Sequence, residues 1–532
     1  MTLPTLDMVV SARAAGDLAR ATALIQRLIV MQPSAADVLQ LIGVLQCEAD
    51  FFEQGLAALH RASRVDGSEP QLWLNTALAY RRGGQHTAAL TAAEHIVALS
   101  PDVPLMMLSA SRYAASKDLH LPLQQRSGRI CEWAVTVDPQ SFEAAFHLAM
   151  TLKRRGSLEA ASSMYCRAIA LSPTIAAPMI ALADTLADRS EFGQSMSVYA
   201  RASVLEPANH DVLYHLSLVQ LRVGSFEAGW QNYEHRWQAS VGAIHLRESA
   251  ALRSSRPEYR EDAPAQRVLI WAEQGIGDEV MFGSLLAEFR PRCAELLVQL
   301  DPRLTGLFSR VFPDVEFFGF DETVPIERYD VQLPIGSLGR FVRPTLPSFS
   351  GKGRQYLSAL PGAAKRLRSQ LGVNDNEVLI GLCWRSANPE NRRSRSLPLE
   401  ALVSALRGPR VRFLNLQYGN AEAEIELVRR NIGLEVLSHP DVDLTRDLEG
   451  VAALIEGCDL VVSVGNAVAH LSGALGQRTW VLLPQVAGWR WLHEGSTCPW
   501  YQSVRLFRQE NRGEWRGVLS ALQRALHAEI LC

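Results

Sequence analysis

The chain is short of several things that would announce a function at once. Its eight cysteines, at 47, 131, 166, 293, 383, 458, 498 and 532, contain no C-x-x-C pair and follow no regular spacing. That argues against a disulfide framework, and no His/Cys/carboxylate spacing suggests a zinc site. No apolar run approaches the length of a membrane span, and the opening "MTLPTLDMVV" carries no signal-peptide pattern, so a cytoplasmic protein without a membrane span is expected. Formal net charge is only −3, and no global field advertises nucleic acid or an acidic membrane. What the chain does have is length and apolar content. With 532 residues and 48% hydrophobic side chains, two to four well-packed domains are expected rather than extended disorder.

An internal period fills the first half. Pro33, Gly67, Pro101, Pro139, Pro173 and Pro207 are separated by 34, 34, 38, 34 and 34 residues. The unit ending at Pro173 carries Ala145, Leu148, Ala149, Leu152, Gly156, Ala161, Tyr165 and Ala168, and the next repeats the scheme with Leu182, Ala183, Leu186, Tyr199 and Ala202. Trp73, Ala77, Tyr80, Gly84 and Ala89 mark an earlier unit. Small and large apolar residues at these offsets let two antiparallel helices interlock, with a glycine at the tight turn. The pattern resembles the tetratricopeptide repeat, in about six units over 1–240. Such an array presents a long groove, expected here to dock a protein, although a spacer or an oligomerising arm would use the same repeats. Four extra residues in the 101–139 unit are expected to lengthen the turn near "SKDLHLP". The stretch 210–237, with Trp230, Tyr233 and Trp237, reads as an altered last repeat whose capping helix packs on the next domain.

Beyond an Arg-rich linker at 241–265 the pattern changes. "RVLIWAEQG", "ELLVQLD", "VEFFGFD" and "YDVQLPIG" read as strands, with helices over 278–290 and 303–311. A second series follows with "EVLIGLCWR", "VRFLNLQYG", "LEVLSHP", "CDLVVSVGN" and "RTWVLLP". Buried runs alternating with helices indicate parallel sheets, here two Rossmann-like lobes over 266–370 and 371–532, the latter ending in a helix. Ligands are expected at the carboxyl ends of the strands. In "LIWAEQGIGDEVMF", Gly275 and Gly277 lack the third glycine of a dinucleotide fingerprint, because Val280 stands there, and no G-K-[ST] follows. Asp278 is then either a helix cap or a functional carboxylate. "DVD" at 441–443 reads as a solvated loop, and no serine nucleophile elbow is present.

"QGIGDEVMF" resembles the G-x-G-D segment of heptosyltransferase-like glycosyltransferases, which place two Rossmann lobes in the GT-B arrangement. The resemblance runs through "GLCWRSANPENRRSRSLPLEAL", "FLNLQYG" and "CDLVVSVGNAVAHLSGALGQRTWVLLP" to "GWRWLHEG" and "CPWYQSVRLFRQ". The whole layout is similar to bacterial proteins that join tetratricopeptide repeats to such a unit, among them a flagellin glycosyltransferase. The resemblance implies an inverting, metal-independent transferase without a cofactor, using a nucleotide-activated sugar as substrate. Asp278 would be the catalytic base, in an acceptor-side loop with Gly275 and Gly277. On the donor side the amides of Gly465, Asn466, Ala467 and Val468 would sit at a helix N-terminus as an anion site. Arg385 and Arg395 would meet a diphosphate, and Gln417, closing a strand, would contact the nucleotide. The resemblance adds that His470 matches the family's His and Arg395 its phosphate-contacting Lys.

One departure stands out: Gly465-Asn466 replaces the family's usual Asp-Thr or Asp-Ser. It puts the donor sugar in question and keeps a rival in view, a non-catalytic repeat scaffold with a degenerate nucleotide lobe. A transferase acting on a glycan is the third reading. The expected fold is an N-terminal repeat solenoid followed by two Rossmann-like α/β lobes, and whether the chain forms oligomers is left open.

Overall fold

A computed structural model of the chain describes residues 4–100, 121–240, 256–264, 266–386 and 395–531. These residues form two compact units, 1–207 and 208–532. The linker positions 241–255, Arg392 and Arg393 of the arginine cluster, and most of the turn expected at "SKDLHLP" lie outside the described residues.

The first unit is a series of helix pairs: α1 (Leu6–Ala14) with α2 (Leu18–Met31), α3 (Ala36–Glu48) with α4 (Phe52–Val65), and α5 (Pro70–Arg82) with α6 (His86–Leu99). After α7 (Leu121–Val137) come α8 (Phe142–Arg154) with α9 (Leu158–Leu171), and α10 (Ala177–Asp188) with α11 (Phe192–Leu205). Local chemistry sets the starts. Asp17 and Ser141 accept backbone N–H bonds from Arg20 and Ala144 at 3.0 and 3.1 Å, and Pro70 opens α5, where a missing N–H costs nothing. Ala149, Ala161 and Tyr165, the repeat's marker positions, are buried between neighbouring helices. The turn inside each pair needs a left-handed residue, and these fall at Gly16, Asp50, Gly84, Gly156 and Ser190. The period is thus visible in the backbone even where glycine is absent.

The second unit begins with another such pair, α12 (His210–Arg222) and α13 (Phe226–Tyr233), whose turn is left-handed at Gly224. A four-stranded parallel sheet follows: β1 (Arg267–Trp271), β2 (Glu295–Leu300), β3 (Glu316–Gly319) and β4 (Val331–Pro334), ordered β3-β2-β1-β4. The six-stranded sheet contains β5 (Val378–Cys383), β6 (Val411–Asn415), β7 (Val436–Leu437), β8 (Leu460–Val464), β9 (Thr479–Leu483) and β10 (Val504–Arg508). It is also parallel and is ordered β10-β9-β8-β5-β6-β7. That is the doubly wound pattern, whose crevice opens where the strand order reverses, beside β1 and between β5 and β8. The helix read over 278–290 starts earlier and breaks: α14 spans Ile276–Gly283, and a separate short helix covers Leu286–Phe289. The crossover helices that follow are α15 (Pro302–Val311), α16 (Leu399–Leu406), α17 (Glu422–Ile432) and α18 (Leu448–Glu456). β10 was missed because "VRLFR" alternates charge with apolar residues, as an edge strand can.

The repeat-like pair α12–α13 belongs to this unit by its packing. Trp230 is 1% exposed and donates its Nε1–H to the Arg343 carbonyl at 2.7 Å. It meets Trp489 edge-on at 5.5 Å and Phe226 at 5.9 Å. Arg236, also buried, is held by both oxygens of Glu273 at 2.9 and 3.1 Å and by Ser337 at 3.0 Å. The compact first unit therefore stops at Pro207, short of residue 240 where the repeat pattern ends.

Candidate functional site

A cleft of about 580 Å³ lies where the segments following β1, β5, β8 and β9 converge, walled on one side by α12. After β1, Gly275 is the N-cap of α14 and Asp278 falls in its first turn. The Asp278 side chain is 16% exposed. It faces the cleft and pairs with Arg490, whose Nη2 also donates to Gln274 Oε1 at 3.3 Å. Gln274 in turn donates to the Tyr233 hydroxyl at 2.5 Å and to Glu273 at 3.3 Å. A hydrogen-bonded chain thus ties Asp278 to the buried Arg236–Glu273 pair.

Gly277 is there for close approach. A Cβ at this position would lie 3.2 Å from Cδ2 of His470 and 3.3 Å from the Cα of Ala467, so α14 and α19 (Ala467–Ala474) meet through the glycine. His470 is 4% exposed, stacks on Trp491 at 4.7 Å and shares a hydrogen bond with the Tyr501 hydroxyl at 3.1 Å. Burial, and then the charge of Arg490, pushes its pKa down to about 3, so it is a neutral imidazole.

The residues expected on the other side separate into two groups. Arg395, Gly465, Asn466, Ala467 and His470 all line the cleft. Arg385 and Gln417 do not. Arg385 turns to Glu424 at 2.9 Å and to the Asn420 carbonyl, because a carboxylate in reach satisfies a guanidinium better than open solvent does. Gln417 is 1% exposed, and its Oε1 accepts the backbone N–H groups of Trp384 and Arg385 at 3.1 and 2.9 Å. It fixes the end of β5 instead of facing a ligand. In the 441–443 loop, Asp443 accepts from the amides of Thr445 and Arg446 and so closes its own turn.

Asn466 is consumed in local bonds. Its Oδ1 caps α19 by accepting from Val468 and Ala469, while its Nδ2 donates to Cys383 Sγ at 3.0 Å and to the Arg385 carbonyl at 3.4 Å. The carboxylate that the resemblance expects would stand at 465, where a side chain has no room: a Cβ on Gly465 would lie 2.8 Å from Trp491 Nε1 and 3.2 Å from Leu483 Cδ2.

Among the described residues lining the cleft, one carboxylate, Asp278, faces four arginines: 222, 236, 395 and 490. Arg236 is neutralised by Glu273. Arg395 has a pKa lowered to about 10 by burial, then by Arg490 and Arg222. It stays charged at neutral pH and adds to a surplus of positive charge suited to an anion.

Arg490 was missed in the sequence, as were Trp489, Trp491 and the α12 residues Tyr214, His215 and Arg222. "GWRW" following β9 carried a usable signal, since it leaves the carboxyl end of a parallel strand. The α12 wall carried none, because the repeat pattern accounts for that helix fully. β10 holds the Arg490 loop from behind: Arg508 donates to the carbonyls of Trp491 at 2.5 Å, Leu492 at 3.2 Å and Gly495 at 2.9 Å.

The tetratricopeptide-repeat family matches residues 41–104. Protein FlbA of Caulobacter vibrioides is similar along most of the chain, 26% identical over 513 residues, covering 85% of this chain and 83% of its own length. Among solved structures, a tetratricopeptide repeat protein from Parabacteroides merdae aligns at 14% identity and TM-score 0.36, over 43% of this chain and 89% of its own. YrrB, a TPR protein with an unusual peptide-binding site, aligns at 16% and 0.30, over 36% and 96%. The first unit is a helical repeat array resembling the tetratricopeptide repeat, and parallel sheets with helices follow it. No helix among the described residues is long and apolar enough to cross a membrane.

Proposed function

We propose that the second unit is a GT-B type glycosyltransferase that moves a sugar from a nucleotide-activated donor to a protein acceptor bound by the repeat array. Flagellin is the first candidate acceptor, on the strength of the family resemblance. The observation that carries this reading is one carboxylate, Asp278, set opposite an arginine-rich wall and the N-terminus of α19 in a single cleft. In this reading Asp278 takes the proton of the acceptor hydroxyl as its oxygen bonds to the anomeric carbon. The bond from that carbon to the donor phosphate oxygen breaks on the opposite face, so configuration inverts. The departing diphosphate carries its charge to Arg395 and the amides before α19. The arginines supply the neutralisation, and the nucleotide sugar is a substrate, so no cofactor is required.

Intact-mass analysis of cellular proteins with and without the chain tests the reading, which expects a discrete sugar-sized gain on one protein. Asp278→Asn should stay folded and lose on the order of 10²–10⁴ in turnover. Near-wild-type turnover in that variant would remove Asp278 from the chemistry.

A second reading, a repeat scaffold whose lobes only bind, draws on the Gly465-Asn466 turn, where Asn466 is consumed in local bonds and no carboxylate among the described residues lines the α19 side of the cleft. It predicts nucleotide binding or none, and no mass gain under any condition.

A further inference from the structure

Arg490 stands between the two halves of the cleft. Its Nε is bonded to Asp278, its Nη2 reaches Gln274 at 3.3 Å, and its guanidinium lies over the Trp489 ring at 4.7 Å. The side chain keeps 24% of its surface exposed, and that of Asp278 keeps 16%. Two residues before it, Gly488 borders Arg395: a Cβ there would lie 3.8 Å from Arg395 Nη2. Arg490 therefore has one anion as a partner and a second cation at the base of its own loop. The loop is also strained. Leu492, just beyond, has φ 57° and ψ −179°, a region that only glycine occupies at ease.

This ion pair occupies the carboxylate. An oxygen bonded to a guanidinium is not open to the hydroxyl of an acceptor until the guanidinium moves. If Asp278 is to act, something must draw Arg490 away, and an anion beside Arg395 would do so. A doubly charged phosphate group offers a guanidinium more than a single carboxylate, and it relieves the mutual repulsion of Arg395 and Arg490 as well. The Trp489 face remains under the guanidinium as a platform on which it can pivot.

We propose that Arg490 is a shared positioning residue, bonded to Asp278 and transferred to the diphosphate of a bound donor, so that donor binding frees the carboxylate. This rests on the reading of the cleft as a phosphorylated-donor site. Its consequence is a negative coupling between the Asp278 carboxylate and anion binding, mediated by one side chain.

Calorimetry on the full chain with inorganic pyrophosphate tests it, in wild type, Asp278→Asn, Arg490→Gln and the double variant, with circular dichroism confirming the fold of each. Freed from its carboxylate, Arg490 should let Asp278→Asn bind pyrophosphate about five- to tenfold more tightly than wild type. In the Arg490→Gln background the same Asp278→Asn change should shift affinity by less than about twofold, which isolates the coupling from the general loss of a negative charge. Arg490→Lys should keep part of the coupling. Unchanged affinity in Asp278→Asn, or equal tightening with and without Arg490, overturns the proposal while leaving the donor-site reading intact. Absence of pyrophosphate and nucleotide binding in both wild type and Asp278→Asn overturns the donor-site reading, and the proposal with it.

Discussion

The apolar residues of the first unit fall into serial clusters. Leu39, Leu56, Leu59 and Leu72 make one, and Ala149, Tyr165, Leu182 and Leu186 make another, each shared by neighbouring helices. In the second unit one cluster runs from Leu221 and Trp230 on α12–α13, through both sheets, to Leu506 on β10. The first unit therefore has the near one-dimensional energetics of a repeat array, in which damage stays close to where it is made. The second couples distant parts of its chain through one core, and its cleft inherits that coupling. The α12–α13 pair is the instructive case, since it has a repeat's backbone and a globular unit's energetics.

The sharpest way to break this comparison is to cut on either side of that pair. A chain starting at residue 208 should fold and keep its cleft. One starting at residue 240 should not fold, since it leaves Glu273 buried without Arg236 and strips Trp230 from the core. Circular dichroism and urea melts of the two truncations decide it. A cooperative transition in the shorter chain would return α12–α13 to the repeats.

Next in size is the buried pair itself. Arg236→Met should cost the second unit about 3–5 kcal/mol, because a buried carboxylate is stranded. Burial already raises the Glu273 pKa against the pull of Arg236. A raised carboxylate contributes its stability at low pH and loses it as pH rises, so the variant should recover part of the loss on acidification. In the first unit, Arg13 and Glu48 pair at 2.6 Å with 40% and 24% of their side chains exposed, and Arg13→Met should cost under about 1 kcal/mol. Equal costs at the two sites would dissolve the contrast. Urea midpoints at pH 7 and pH 4 give both results.

His470 offers a smaller handle. Its folded pKa of about 3 lies below the roughly 6.5 of an unfolded imidazole, so the unfolded chain takes the proton first. Stability present above about pH 6.5 is lost as pH falls toward 3, by about 2 kcal/mol at pH 5. His470→Gln, which can keep a bond to Tyr501, should flatten this part of the second unit's pH profile. His235, which burial also lowers, is common to both proteins and cancels in the difference. Parallel profiles for wild type and variant would mean that His470 is not held neutral.

The same division governs what could be read from the sequence. The repeat period and both parallel sheets were legible because each rests on spacing within a short window: 34 residues in one case, a buried run and a helix in the other. Gly277, Asp278 and Asn466 were legible as the turns that leave β1 and β8. Arg385 and Gln417 were misplaced because sequence position puts them at strand ends but does not show Glu424 or the Trp384 amide waiting for their side chains. The position of Arg490 after β9 was legible but its bond to Asp278 was not, and the α12 wall was not legible at all, since these roles arise from contacts made across some 200 residues of chain.

The smallest expected effect lies in the repeats. The left-handed turn recurs at 16, 50, 84, 156 and 190, and glycine fills it except at Asp50 and Ser190. Ser190 sits there at φ 64° on an exposed turn, paying a conformational penalty that glycine avoids. Ser190→Gly should therefore stabilise α10 and α11 by roughly 0.5–1 kcal/mol, the gain being trimmed by the greater freedom of glycine in the unfolded chain. Gly156→Ala is the mirror experiment. A Cβ there meets nothing within 4 Å, so any loss reflects backbone strain alone. Hydrogen exchange resolves both, and the change should be confined to the helices flanking each turn. If Ser190→Gly slowed exchange throughout the array and in the second unit alike, the first unit would not be the loosely coupled series its clusters imply.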